Sequence, residues 1–229
     1  MVKVACAGLY QSGSTRLYNT VLFILEARHQ NIATGFYKTT EFRSIAKSTP
    51  ACIKFHGCPA DLTKDASWKV VLSVRHIADT IHSMRQRKAM SSRHATNAEY
   101  VKKQLQIYQL WSKRDDTLVI PYKHFSEHPI NTCIIIAKHI GVTDLTREEA
   151  VDINSRVEDL RRKILGAESA KPASYRKHLL TKDHLHGGKT GAGACIDDFD
   201  AVGKIVGASG VENILYMHDC LPFVTKKKK

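Results

Sequence analysis

One buried strand pattern restricts this chain more than anything else in it. Lys69-Val70-Val71-Leu72-Ser73-Val74 is almost continuously apolar, the pattern of a strand covered on both faces. Residues 2–9 form a second strand-like run that ends in a Gly/Ser turn. Leu17, Val21, Ile24 and Leu25 then recur at helical spacing, which predicts a helix over residues 14–29. Further strands are expected over residues 51–56, ended by Gly57 and Pro59, and over residues 116–121. Helices are expected over residues 78–88, 98–112 and 130–139, the last stopped by Gly141. Beyond Thr143 the pattern is helical and polar, then Gly-rich from Gly187 to Gly193. Alternation of this kind predicts an α/β fold, a parallel β-sheet flanked by helices on both faces.

The length of 229 residues and a hydrophobic content of 43% suit one α/β domain, expected over residues 1–225. The Lys226–Lys229 run reads as a solvated basic tail. With 35 Lys+Arg against 22 Asp+Glu, the formal net charge is +13, a surface that attracts anions. Nucleic acid, anionic membrane, polyanionic sugars and phosphorylated cofactors all fit that charge. No RNA-recognition aromatic motif, zinc-finger spacing or basic heptad is present, so no specific nucleic-acid partner is expected. Six cysteines (Cys6, Cys52, Cys58, Cys133, Cys195, Cys220) are scattered without a C-x-x-C pair, and three of them, Cys6, Cys52 and Cys133, sit in apolar runs. Reduced thiols and a cytoplasmic location are the expectation. The strand-like start carries no leader pattern, and no run approaches the ~18 apolar residues of a membrane span.

Chemistry concentrates where the first strand meets the first helix. Gly8-Leu9-Tyr10-Gln11-Ser12-Gly13-Ser14-Thr15-Arg16 occupies the carboxyl end of strand one, where ligands of parallel α/β sheets bind. A helix start there offers N–H groups and a positive dipole end to an anion. Gly13 permits close backbone approach, and Ser12, Ser14 and Thr15 add hydroxyl donors. The alternative is an ordinary Ser/Thr-capped turn. A Walker A loop would need Gly-Lys-Ser/Thr, whereas Gly13 is followed by Ser14 and the loop holds no Lys. A metal-dependent nucleoside triphosphate site is therefore disfavoured.

At these residues the chain resembles the PAPS-dependent sulfotransferases, whose donor is 3′-phosphoadenosine 5′-phosphosulfate (PAPS). The family's 5′-phosphosulfate loop reads Pro-Lys/Arg-Ser-Gly-Thr-Thr-Trp, and residues Tyr10 to Arg16 are similar at Ser, Gly and both hydroxyl positions. The family's 3′-phosphate motif, an Arg at a strand end and a Ser in the next helix, resembles Arg75 and Ser83. Its Lys-Thr-His before a Pro resembles Lys54-Phe55-His56-Gly57-Cys58-Pro59, and its Tyr-Glu-Asp strand end resembles Pro121-Tyr122-Lys123-His124. A Gly-rich segment near the C-terminus is similar to Gly187-Gly188-Lys189-Thr190-Gly191. The ordered set, spanning residues 2–200, carries the likeness.

The resemblance implies the P-loop NTPase-like sulfotransferase fold and transfer of a sulfuryl group from PAPS to a hydroxyl or amine acceptor. The product nucleotide would be adenosine 3′,5′-bisphosphate (PAP), and no metal would be required. It implies donor contacts from Gln11, Ser12, Gly13, Ser14, Thr15, Arg16, Arg75, Ser83, Tyr122, Gly188, Lys189, Thr190 and Gly191, with His56 as general base and Lys54 as its catalytic companion. Each role has a physical reason. A 3′-phosphate is a compact dianion that the planar guanidinium fork of Arg75 suits. A His titrating near neutrality suits removal of the acceptor proton, worth ~10²–10⁴-fold. Lys54 would stabilise charge on the transferring group, and strand alternation puts it on the His56 face.

Two positions depart from the family. Gln11 stands where a Lys or Arg is usual, and Arg16 stands where many members have a Trp on the adenine. Arg16 would either stack on the base or turn its charge to the 5′-phosphate. Cys58 beside His56 offers a nucleophile without an oxyanion-hole signature. A P-loop-type small-molecule kinase and a non-catalytic polyanion or nucleic-acid binder remain the competing readings. Residues 34–48 and 88–97 are expected to wall the acceptor pocket, which at this length is either shallow or completed by a second subunit of a homodimer.

Overall fold

The computed structural model describes residues 2–36, 50–59, 62, 64–86, 98–166 and 175–179. Its centre is β1 (Lys3–Gly8), in which Val4, Ala5, Cys6 and Ala7 are wholly buried. These small side chains let helices approach the middle of the sheet closely from both sides. Around β1 stand β2 (Ala33–Phe36), β3 (Ala51–Phe55), β4 (Trp68–Val74) and β5 (Thr117–Pro121). The strands form one sheet in the order β2-β3-β1-β4-β5, and every pair is parallel. Ala5 is paired with Ile53 on one side and Val70 on the other. The α/β reading is borne out, including the near-complete burial of β4, where Lys69 alone faces solvent.

Alternation along the strands sorts the core into two layers. Val4, Cys6, Cys52 and Val71 pack under α1 (Ser14–Glu26), α5 (Pro129–His139) and α6 (Arg147–Gly166). Ala5, Ala7, Ile53, Phe55, Val70 and Leu72 pack under α2 (Ile77–Gln86) and α3 (Ala98–Ser112). Two short helices, α4 (His124–Glu127) and α7 (Tyr175–His178), complete the described elements. α7 is docked on α1: Tyr18 Oη donates to the Lys177 carbonyl at 2.8 Å and Asn19 Nδ2 to that of His178 at 2.9 Å.

Local signals account for the boundaries. Pro129 starts α5, where a missing N–H costs nothing. Gly141, at φ 89°, ends it with Val142 N–H donating to the Ala137 carbonyl at 2.8 Å and Gly141 N–H to that of Lys138 at 3.2 Å, a Schellman closure. The first helix stops at Glu26 rather than His29: the last turn tightens, Arg28 N–H donating to the Leu25 carbonyl three residues back at 3.0 Å, and His29 N–H closes on the same carbonyl at 2.8 Å. One element was not anticipated: β2 is a four-residue edge strand containing Gly35, too short for a period to show. It takes up the start of the expected pocket wall, while residues 37–48 and 88–97 lie outside the described residues.

Arg114 locks the amino-terminal side of the sheet. Its guanidinium donates to the carbonyls of Leu62 (2.5 Å), Asp65 (3.1 Å) and Trp68 (3.0 Å) and pairs with Asp116 at 2.8 Å. Among the described residues, no helix is long and apolar enough to cross a membrane.

Candidate donor and transfer site

The chain leaves β1 toward β2 and leaves β4 toward β5, in opposite directions across the sheet. Such a reversal opens a crevice at the carboxyl ends of the strands. The loop from Gly8 to Gly13 sits there. Ser12 holds it closed, its N–H and Oγ both donating to the Leu9 carbonyl at 3.3 and 2.8 Å. With that proton used, Ser12 Oγ accepts from Ser73 Oγ at 3.0 Å, and the Ala7 carbonyl, 3.3 Å from Ser73 Oγ, is the alternative acceptor of the same proton. A Cβ on Gly8 would strike Ser73 Oγ and lie 2.7 Å from Ser12 Oγ, so only glycine fits this junction. Helix α1 begins without a side-chain cap or an acidic residue in its first turn. Its N–H donors and positive dipole end therefore face the crevice, an arrangement suited to an anion.

Arg75 leaves the end of β4 and is nearly fully buried. Its Nη1 donates to the Gln11 carbonyl at 3.1 Å, and its guanidinium lies 4.5 Å from the centre of the Tyr122 ring. Asp79, one helical turn on, approaches Nε at 3.7 Å. Ser83 Oγ donates to Gln11 Oε1 at 3.2 Å. Tyr122 is fixed by its own N–H, which donates to the Val74 carbonyl at 2.8 Å, and its ring lies directly over Gly13. Buried Tyr108 braces the Arg75 backbone, Arg75 N–H donating to its Oη at 3.2 Å. His76 caps α2, its Nδ1 accepting from Ala78 N–H at 3.1 Å; burial pushes its pKa down to about 4, so it is neutral there.

The end of β3 supplies the other flank. Lys54 is buried and its Nζ donates to Thr15 Oγ1 in the first turn of α1. His56 Nδ1 lies 2.8 Å from the Gly8 carbonyl oxygen. A carbonyl can only accept, so Nδ1 carries a proton and donates it. The imidazole is stacked on Tyr10, with centroids 4.2 Å apart and planes at 27°, and meets the edge of Phe36 at 5.5 Å. Trp111 Nε1 donates to the Gly57 carbonyl at 3.0 Å and steadies the turn beyond. Burial pushes the half-buried Cys58 thiol up to about 11, which keeps it protonated near neutrality and argues against a nucleophilic role.

No protein-family profile matches the sequence, and no curated protein matches it. Solved structures do. Mouse sulfotransferase SULT7A1, complexed with PAP, superposes with a TM-score of 0.69 at 16% identity, covering 94% of this chain and 88% of that one. Retinol dehydratase, in complex with androsterone and the inactive cofactor PAP, superposes with a TM-score of 0.65 at 14% identity, covering 90% of this chain and 80% of that one. The chain has the sulfotransferase fold.

Within this sulfotransferase fold, Gln11, Ser12, Gly13, Arg75, Ser83 and Tyr122 form one connected group, although they come from four separate elements. Ser14 and Thr15 open α1 beside it, with Lys54 joined through Thr15. His56 stands across the loop. Arg16 meets α6 and α4. It pairs with Glu158 at 2.8 Å, reaches Asn154 at 3.5 Å and lies over the Phe125 ring; burial lowers its pKa and Glu158 opposes that. Its charge is thus committed to α6. Gly188, Lys189, Thr190 and Gly191 lie outside the described residues. Tyr10, Phe36, Ser73 and Tyr108 were missed as site residues. A serine inside the apolar run of β4 was the one available signal, since a polar group there needs a partner.

Proposed function

We propose that this protein transfers a sulfuryl group from PAPS to a hydroxyl or amine acceptor. The observation that carries the reading is the single crevice flanked on one side by Arg75, Ser83 and Tyr122 and on the other by Lys54 and His56, with the uncapped start of α1 between. Arg75 and Ser83 would hold the 3′-phosphate, exchanging the two oxygens of Gln11 for phosphate oxygens. The loop N–H groups from Ser12 to Arg16 and the hydroxyls of Ser14 and Thr15 would hold the 5′-phosphosulfate. The Gly13 backbone, overlain by Tyr122, fits a close anion because it carries no side chain.

His56 Nε2 then takes the proton of the acceptor hydroxyl as its oxygen attacks sulfur. The new O–S bond forms while the S–O bond to the 5′-phosphate breaks in line, and PAP leaves. Lys54, through Thr15, sits at the helix start where negative charge builds, which lowers the barrier by preorganised electrostatics. No metal ligand is assigned. Arg16 is proposed as a donor-site neighbour whose charge Glu158 moderates, and Gly188, Lys189, Thr190 and Gly191 as the segment that closes over the nucleotide. The domain is taken as residues 1–225. Free thiols at Cys6, Cys52, Cys58 and Cys133 support a reducing compartment such as the cytoplasm.

Calorimetric titration with PAP, against ATP·Mg²⁺ as the control, tests the reading at moderate salt. Saturable one-to-one binding of the bisphosphate, much tighter than ATP, is the expected result. Equal affinity for both, or preference for ATP, would return the protein to the kinase or polyanion-binding class.

A further inference from the structure

We infer that Glu158 sets how strongly the crevice at the start of α1 takes an anion, because it holds the Arg16 guanidinium on α6. The inference rests on the donor site proposed above. Arg16 is the third residue of α1, in the same helical turn as Ser14 and Thr15. Its Nη2 meets Glu158 Oε1 at 2.8 Å and Asn154 Oδ1 at 3.5 Å. The guanidinium lies 5.9 Å from the centre of the Phe125 ring. Beyond the effect of burial, Glu158, Tyr122 and Arg161 all act on its charge, and the Tyr122 ring lies over Gly13. A cation thus stands in the first turn of the donor helix with its charge offset by a carboxylate from α6.

Asn154, Glu158 and Arg161 are spaced i, i+4 and i+7 and so share one face of α6. Glu158 divides its oxygens between two arginines: Oε1 is on Arg16, and Oε2 lies 3.7 Å from Arg161. Two guanidiniums share one carboxylate, and the like charge of Arg161 acts against Arg16. The Arg16–Glu158 pair is also partly wet, with 22% and 34% of the two side chains exposed. Pairs of that exposure are weak, and a dianion at the helix start offers Arg16 a stronger, charge-assisted partner. When Arg16 turns to the anion, Arg161 still stands beside Glu158, so the exchange strands no carboxylate. Glu158 therefore acts as a brake. It lowers the positive field of the crevice while the site is empty, and every anion that takes Arg16 must first part it from Glu158.

The test compares the full chain with Glu158→Gln, Arg16→Gln and the double variant. Affinity for inorganic sulfate is read by NMR titration at constant ionic strength, and affinity for PAP by calorimetry. Glu158→Gln is expected to bind both anions ~3-fold tighter or more. The gain should vanish in the Arg16→Gln background, since it acts through Arg16. Asp159→Asn removes the same charge from the next residue of α6, whose carboxylate pairs with the exposed Arg162, and should change neither affinity. Unchanged or weaker binding in Glu158→Gln would overturn the inference, and so would an equal gain in Asp159→Asn or a gain that survives in the Arg16→Gln background. Should Glu158→Gln not fold, the wild-type Arg16 Nε–H signal, assigned with Arg16→Lys, is expected to shift on adding sulfate, and a signal that ignores sulfate would overturn the inference too. Tighter sulfate binding in Glu158→Gln, in a chain that does not prefer PAP over ATP, would keep this role for Glu158 and remove sulfuryl transfer. Tight PAP binding in the wild type with no gain in the variant would do the reverse.

Discussion

Gly13→Ala separates backbone strain from the steric construction of the candidate donor site. Gly13 sits at φ 87°, where an L-residue costs ~1–2 kcal/mol. The added methyl would also lie 2.5 Å from Tyr122 Cδ2 and 3.0 Å from Cε2. The ring cannot yield freely, because its backbone is bonded to Val74 and Arg75 lies against it at 4.5 Å. Restoring ordinary contact needs a shift of about 1 Å, and overpacking of that kind costs ~1–3 kcal/mol. Gly141→Ala supplies the control: φ is 89°, and nothing lies within 4 Å of the new methyl. Urea unfolding should show a loss of ~1–2 kcal/mol for Gly141→Ala and ~2–5 kcal/mol for Gly13→Ala. Displacing Tyr122 also moves the plate under Arg75, so PAP affinity should fall ~10-fold or more in Gly13→Ala alone, about 1.4 kcal/mol. Equal stability losses with unchanged PAP affinity would show that Tyr122 and Gly13 do not build the site together.

Arg75→Ala should weaken PAP by ~10²-fold while barely altering the affinity for adenosine 5′-phosphosulfate, which lacks the 3′-phosphate; equal losses in calorimetry would remove Arg75 as the reader of that phosphate. His56→Ala should cut turnover by ~10²-fold or more with PAP binding retained, and near-normal turnover in a sulfuryl-transfer assay would exclude it as the base. Arg114→Ala strips hydrogen bonds from the Leu62, Asp65 and Trp68 carbonyls and should cost ~2–4 kcal/mol in urea unfolding, with PAP affinity unaffected once folded. The hydrogen bonds from Arg28, with help from Thr146, hold Glu149 down from 4.5 to about 2. Its folded pKa lies below its unfolded value, so its contribution is complete above the unfolded pKa and fades as pH falls toward 2. Glu149→Gln should therefore lose stability near pH 6 and lose less of what remains on acidification; parallel urea midpoints against pH for the two proteins would refute the pairing.

β1, β3, β4 and β5 were all legible as short β-rich runs, β4 most clearly because its apolar run requires burial on both faces, and helix α3 falls over residues 98–112 as its spacing implied. β2 was hidden because four residues, one of them Gly35, carry no usable period, and its place in the sheet comes from pairing with β3. At the site, Arg75, Ser83 and Gln11 were legible as residue types in order, whereas their contact was not. Gln11 reaches both partners only because its backbone is left-handed, a feature that a loop sequence with Gly13 two places on does not announce. Arg16 shows the same limit. The residue that takes its charge, Glu158, lies on a helix far along the chain, and no local pattern links the two.

The loop carries no lysine, yet the crevice does not lack cations. Lys54 arrives from β3 onto Thr15, and Arg75 arrives from β4 onto the Gln11 carbonyl, so positive charge enters from both flanks of β1. Gln11 then acquires a different task from a charged residue. Its left-handed backbone is an unfavourable state for a residue with a side chain, and it is held there by the same Arg75 and Ser83 that would bind the 3′-phosphate. A phosphate that captured both would release Gln11 from its two bonds while occupying the groups that keep the loop in place. Donor binding and the conformation of residues 8–13 are in that case one equilibrium. A loop with its own lysine would hold an anion directly; here the cations come from the neighbouring strands, through Thr15 and the Gln11 carbonyl.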